Sequence, residues 1–145
     1  MEKLNIAIAD DNERMVSLLE HIVSQDEELQ VVGKAGDGEA LYEIIRQKQP
    51  DVVLLDIIMP KVDGLNVMDR VNRDTTMKKR PAFIVISAVG QEKITEDAFN
   101  LGADYYILKP FDNDLVISRI KHTKVLRDRG AEQPRRVNAY ESKQE

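Results

Sequence analysis

The sequence contains no cysteine. That excludes a disulfide framework, a thiol nucleophile and a thiolate metal site, and it makes a cytoplasmic setting the simplest expectation. Long apolar runs are also missing. Nothing approaches the roughly 20 residues a membrane helix needs, so no membrane association is expected. The opening MEKLNIAIADD lacks the basic-then-apolar layout of a secretory leader, because its short apolar stretch ends in acids. Glycine-rich nucleotide motifs are absent: Gly33, Gly36 and Gly38 do not form G-x-G-x-x-G, and there is no P-loop. The two histidines, His21 and His122, lie far apart without metal-ligand spacing and are expected on the surface. Basic charge is in deficit, the net charge being −5, which argues against a general nucleic-acid surface. The excess of Arg119, Lys121, Lys124, Arg127, Arg129, Arg135 and Arg136 near the end reads as a solvated helix face running into a linker, the alternative being a partner or nucleic-acid contact.

What is present is an alternation of short apolar runs with longer amphipathic stretches over 145 residues, enough for one domain with a single core. Leu4 to Ala9 predicts a buried strand, and Asn12 caps a helix carrying Met15, Leu18, Leu19, Ile22 and Val23 on one face. A second strand spans Leu29 to Val32, closed by Gly33, and Asp37 caps a helix that runs to Lys48 before Pro50. Val52 to Leu55 is apolar on consecutive residues, as in a central strand covered on both faces. A third helix carries Leu65, Val67, Met68 and Val71. Strand four is Ala82 to Ile86, helix four Glu92 to Leu101 with Gly102 at its C′ position, and strand five Tyr105 to Leu108. Asp112 opens a last helix reaching about Val125. Residues 1–125 are therefore expected to fold, and the polar, aperiodic residues 126–145 to form a linker or tail. Strand–helix pairs in this order predict a three-layer, doubly wound parallel α/β sheet of (βα)5 type with flavodoxin-like order 2-1-3-4-5.

In such sheets ligands bind at the carboxyl ends of the strands, and those ends are unusual here. Strand one ends in Asp10 and Asp11, strand three in Asp56, strand four in Ser87 and strand five in Lys109. Strands one, three, four and five would be successive neighbours about 4.8 Å apart, so all five residues share one cleft. Each alone has an ordinary reading: an aspartate pair as a helix cap, a single aspartate or Lys-Pro as a turn. The combination does not, because caps require no lysine and hydroxyl on neighbouring strands. Two carboxylates about 4 Å apart repel by about 4 kcal/mol at an effective dielectric of 20, and one lysine does not neutralise three acids. A hard divalent cation would, and oxygen ligands without Cys or His favour Mg²⁺. Beside that metal a carboxylate can act as nucleophile towards a phosphoryl group, with Lys109 stabilising charge on the transferring oxygens.

The segments ADD at the first strand end, DIIMPKVDG around Asp56, Ser87–Ala88 and LKP at residues 108–110 together resemble the receiver domains of bacterial two-component response regulators, over about residues 3 to 124. The resemblance implies that Asp56 is phosphorylated by a histidine kinase or phosphotransfer protein. It implies that Asp11, Asp56 and the backbone carbonyl of Ile58 bind Mg²⁺, with Asp10 acting largely through water. It further implies that Ser87 and Lys109 contact the phosphoryl group, that the Lys109–Pro110 bond is cis, and that Tyr106 is an aromatic switch altering the face of helix four, strand five and helix five. The ordinary alternative for Tyr106 is a sheet aromatic half buried between helices. The strings IADDN, PDVVLLDIIMP, DGL, GQE and LGADYYILKPFD are similar to receivers of sporulation transcription factors from endospore-forming bacteria. That similarity implies a homodimer on phosphorylation and DNA contact only through a further C-terminal domain.

By this reading the chain is not an enzyme beyond its own phosphorylation and slow autodephosphorylation. A stand-alone phosphorelay carrier is the alternative. A haloacid-dehalogenase-like phosphohydrolase wants a second aspartate two residues after the nucleophile, where this chain has Ile58, and a flavin-binding relative would have no need of the acid cluster. Ile58 and Val89 are apolar where fast-cycling relatives more often carry polar residues, which leads us to expect a long-lived phosphoaspartate.

Overall fold

The computed structural model describes residues 3–59, 63–88 and 90–128. Ten elements alternate along it: β1 (Leu4–Ala9), α1 (Glu13–Ser24), β2 (Leu29–Ala35), α2 (Gly38–Lys48), β3 (Val52–Leu55), α3 (Gly64–Arg73), β4 (Ala82–Ser87), α4 (Glu92–Asn100), β5 (Ala103–Leu108) and α5 (Asn113–Asp128). The five strands form one parallel sheet in the order β2-β1-β3-β4-β5, the expected doubly wound arrangement.

The run Val52–Leu55 shows why a central strand needs no polar alternation. Val53 and Leu55 face a core shared with Leu41 and Ile45 of α2, Val67, Met68 and Val71 of α3, and Phe99 of α4. Val52 and Leu54 face the opposite core, with Leu19, Ile22 and Val23 of α1 and Val116 and Ile120 of α5. Burying both faces is what the period-2 geometry of a strand demands between two helix layers. The starts of α1, α2 and α3 follow local capping chemistry. Asn12 Oδ1 accepts from the amides of Arg14 (2.9 Å) and Met15 (3.1 Å), and Asp37 and Asp63 cap α2 and α3 the same way. Gly102 at φ 111° ends α4, a left-handed conformation that glycine adopts without strain.

Three boundaries differ from the sequence reading by two or more residues. β2 does not close at Gly33 but continues to Ala35. A Cβ at residue 33 would lie 2.7 Å from Ile44 Cγ2, so the glycine lets α2 pack onto the strand rather than ending it. β5 begins at Ala103, two residues earlier than expected, and α5 continues to Asp128, past the expected boundary at residue 125. The expected tail from residue 129 onward lies outside the described residues.

Two edge strands carry one extra residue each. Against β1, the pairing jumps from Ile6–Val31 to Ala7–Gly33, leaving Val32 as a bulge. Against β4, it jumps from Phe83–Ala103 to Ile84–Tyr105, leaving Asp104 as a bulge.

Candidate functional site

The carboxyl edge of the sheet is built by continuing the ladder past the strand ends. Asp10 N–H donates to Ala35 carbonyl at 3.1 Å, Asp56 N–H to Ala9 carbonyl at 2.9 Å, and Lys109 N–H to Ser87 carbonyl at 2.9 Å. These bonds hold the first residue beyond β1, β3 and β5 in fixed register. The side chains then converge. Lys109 Nζ donates to Asp10 Oδ2 at 2.9 Å and to Asp56 Oδ2 at 3.0 Å. The other oxygens take backbone donors: Asp10 Oδ1 accepts from Asn12 N–H at 2.9 Å, and Asp56 Oδ1 from Ile58 N–H at 3.1 Å. Asp10 and Asp56 are buried while Asp11 is exposed, and one carboxylate oxygen from each of the three lies within 4.8 Å of the others.

The electrostatics follow from this packing. Burial raises the Asp56 carboxyl above its ordinary value and the charge of Asp10 adds to the rise, against the lowering effects of Lys109 and the Ile58 amide. Burial alone would lower Lys109, but its hydrogen bonds to Asp10 and Asp56 leave the ammonium with a raised pKa. Lys109 is therefore a fixed cation shared between two carboxylates, and Asp11 adds a third negative group at the rim. The donor set is oxygen only, open to solvent on the Asp11 side, and in excess of the positive charge beside it. These residues fit a hard divalent cation of the Mg²⁺ kind.

Gly64 has a part in the site that its sequence did not reveal. It is the first residue of α3, and its N–H donates to Ile57 carbonyl at 2.9 Å. A Cβ there would meet the Asp56 carbonyl oxygen and Ile57 Cα, both at 2.9 Å. Any larger residue would push the segment that carries Asp56. Asn12, expected only as a cap, also orients Asp10 through its backbone amide.

Other candidates fall at different distances from this cluster. Ser87 closes β4 and is buried at the same edge. Ile58 is 56% exposed, so its side chain projects to solvent beside Asp56 while its amide binds the carboxylate. The Lys109–Pro110 peptide is cis. Tyr106 does not join the cluster. It is fully buried rather than half buried, pairs with Val85 across the sheet, and sets its ring 6.5 Å from that of Phe99 on α4. His21 and His122 are exposed as expected, although Tyr105 Oη and His122 Nδ1 are hydrogen-bonded. Pro60 and Val89 lie outside the described residues.

The parallel order with an acidic carboxyl edge at the β1/β3 switch point defines a doubly wound α/β fold whose edge residues fit a divalent cation. The family of response regulator receiver domains matches residues 6–121. Among solved structures, the signal receiver domain of the response regulator NarL from Mycobacterium tuberculosis is similar at 29% identity and a TM-score of 0.78, over 84% of this chain and 96% of that one. A chain of the CheX–CheY–BeF3–Mg complex from Borrelia burgdorferi is similar at 30% identity and a TM-score of 0.76, over 83% of this chain and 89% of that one. A CheY-like receiver from Methanospirillum hungatei, at 19% identity and a TM-score of 0.79 over 89% of this chain and 99% of that one, shares the fold. The chain belongs to the response-regulator receiver family of two-component signalling. Among the described residues no helix is long and apolar enough to cross a membrane.

Proposed function

We propose that this receiver takes a phosphoryl group onto Asp56 from a histidine kinase or phosphotransfer protein and uses it to switch the face made by α4, β5 and α5. The observation that carries the reading is one lysine shared by two buried carboxylates with a third at the rim. Asp56 is the nucleophile because it is central at the edge and its carboxylate is held by the Ile58 amide and Lys109. An Asp56 oxygen bonds to phosphorus as the phosphorus–nitrogen bond of a phosphohistidine breaks, leaving an acyl phosphate and a histidine that takes up a proton. Lys109 moves from bridging two acids to holding the phosphoryl oxygens, with Ser87 at the same edge as a hydroxyl donor. Asp10, Asp11, Asp56 and the Ile58 carbonyl would hold Mg²⁺, which supplies charge neutralisation of the phosphoryl oxygens. The chain's catalysis is confined to its own phosphorylation and slow dephosphorylation. Ile58, in place of a second acid, supports this over phosphohydrolase chemistry.

The buried Tyr106 ring, packed on Phe99 of α4, is the element whose packing the phosphoryl group biases through Ser87. The resemblance of these strings to sporulation receivers supports a finer assignment: phosphorylation drives homodimerisation and sporulation-type control of DNA through a C-terminal DNA-binding domain. Spore counts in the source organism carrying Asp56→Asn test this, and unchanged sporulation sinks it.

For the central claim, the protein is incubated with Mg²⁺ and acetyl phosphate and followed by intact mass and sizing. The expected result is a phosphoryl adduct, with a change in oligomer size, that is lost in Asp56→Asn. An adduct persisting in that variant overturns the assignment.

A further inference from the structure

Side chains along a strand alternate between faces, so residues two apart share a face. β5 breaks this rule. Ala103 belongs to the core on the α2–α3–α4 side, yet Tyr105 belongs to the core on the α1–α5 side. Beyond that point the alternation is regular: Tyr106 returns to the α4 side and Ile107 to the α1–α5 side. The phase flips once, at Asp104, the extra residue in the pairing with β4. At that place the buried Phe83 of β4 turns its amide towards β5, and the N–H donates at 3.0 Å to Asp104 Oδ2.

We propose that Asp104 is a positioning residue for the site: its carboxylate stands in for a ladder acceptor, holds the bulge, and thereby delivers Tyr106 to α4 and Lys109 to the acidic cluster. The inference rests on the roles given above to Tyr106 and Lys109, but its geometric half does not. A buried backbone N–H left without an acceptor is strongly disfavoured. With the carboxylate removed, Phe83 N–H loses its acceptor and the bulge its tether, so β5 is released to slide by one residue, which turns every side chain to the other face. Tyr105 would then face α4 and Tyr106 would face α1 and α5. Lys109 would be displaced by about 3.3 Å along the strand, breaking contacts that now measure 2.9 and 3.0 Å. The other bulge offers a contrast, because its extra residue, Val32, has no side-chain acceptor. Of the two bulges, the one in β5 carries a carboxylate acceptor on its extra residue, and β5 is the strand that leads to the lysine and carries the tyrosine.

The test compares wild type, Asp104→Ala and Asp104→Asn as full chains without phosphodonor. It measures hydrogen exchange at the Phe83 amide relative to Val85, and the ring-to-ring NOE between Tyr106 and Phe99. In Asp104→Ala, Phe83 exchange is expected to rise about tenfold, the worth of one net hydrogen bond, and the Tyr106–Phe99 contact to be lost. Asp104→Asn keeps an oxygen acceptor and should retain both. A general loss of stability would raise exchange at Val85 equally, which distinguishes it from the proposed role. Unchanged Phe83 exchange with an unchanged ring contact in Asp104→Ala overturns the proposal. If Asp104→Ala does not fold, Asp104→Asn decides, since loss of Phe83 protection there overturns it and retention supports it. Adduct formation with acetyl phosphate is then read separately. Should the wild type form no adduct while the register readouts hold, the phosphoacceptor reading fails and the positioning role of Asp104 stands.

Discussion

β3 carries an aspartate at each end, and the two live in opposite circumstances. At the start, Asp51 Oδ2 accepts from Asn5 N–H at 2.7 Å and Oδ1 from Lys79 Nζ at 2.5 Å. One carboxylate meets one lysine, the lysine side chain is 40% exposed, and the pair ties the loop before β4 to the sheet. Just past the other end, Asp56 shares Lys109 with Asp10, and Asp11 stands beside them. The chemical groups are the same and the stoichiometry differs. A balanced pair is a clamp, whereas three acids on one lysine hold uncompensated negative charge that a divalent cation would offset.

The contrast is sharpest in phosphoryl uptake. Asp56→Asn is expected to reduce adduct formation at least about a thousandfold, since no nucleophile remains, while Asp51→Ala should leave it within about twofold. Intact mass with acetyl phosphate checks both. Lys109→Ala should slow uptake by roughly a hundredfold through lost stabilisation of the transferring oxygens, and Lys79→Ala should have no such effect. Rates from a mass time course decide this. In stability the order reverses. Asp51→Ala should cost about 2 kcal/mol, because Asn5 N–H and Lys79 both lose their acceptor, measurable by denaturant unfolding.

A smaller effect depends on pH. Asp56 has a folded pKa above its ordinary value, so the folded state binds more protons and ionisation of this group weakens the fold. That loss sets in as pH rises from the ordinary carboxylate value through the raised folded value. Without Mg²⁺, Asp56→Asn should therefore be more stable than wild type above this window and no more stable below it. A variant less stable than wild type at neutral pH would refute the sign. The smallest change concerns Ile58, whose side chain is exposed beside Asp56. Ile58→Asn should shorten the phosphoaspartate half-life by about threefold, about 0.6 kcal/mol of barrier, and an equal half-life removes any shielding role.

Much of this site is legible in the chain alone. Asp10, Asp11, Asp56, Ser87 and Lys109 each follow an apolar run, and a parallel sheet must bring such residues to one edge. Other parts have no local signature. Gly64 has the look of a turn residue, and only its 2.9 Å approach to the Asp56 carbonyl shows what it does. Gly33 reads as a strand end because glycine commonly is one, and the packing of Ile44 overrides that preference. The depth of Tyr106 is undecided by sequence because two adjacent tyrosines carry no indication of which faces α4.

The sequence by itself determined the order of strands and helices, the caps, and which residues stand at the carboxyl edge, because these depend on hydrophobic periodicity and nearest-neighbour chemistry. Tertiary structure decided the phase. Periodicity says that faces alternate but not where the count slips, and the slips at Val32 and Asp104 exist only against the partner strands β1 and β4. It also decided the sharing of Lys109, since two acids from strands 46 residues apart compete for one ammonium only after the sheet has formed.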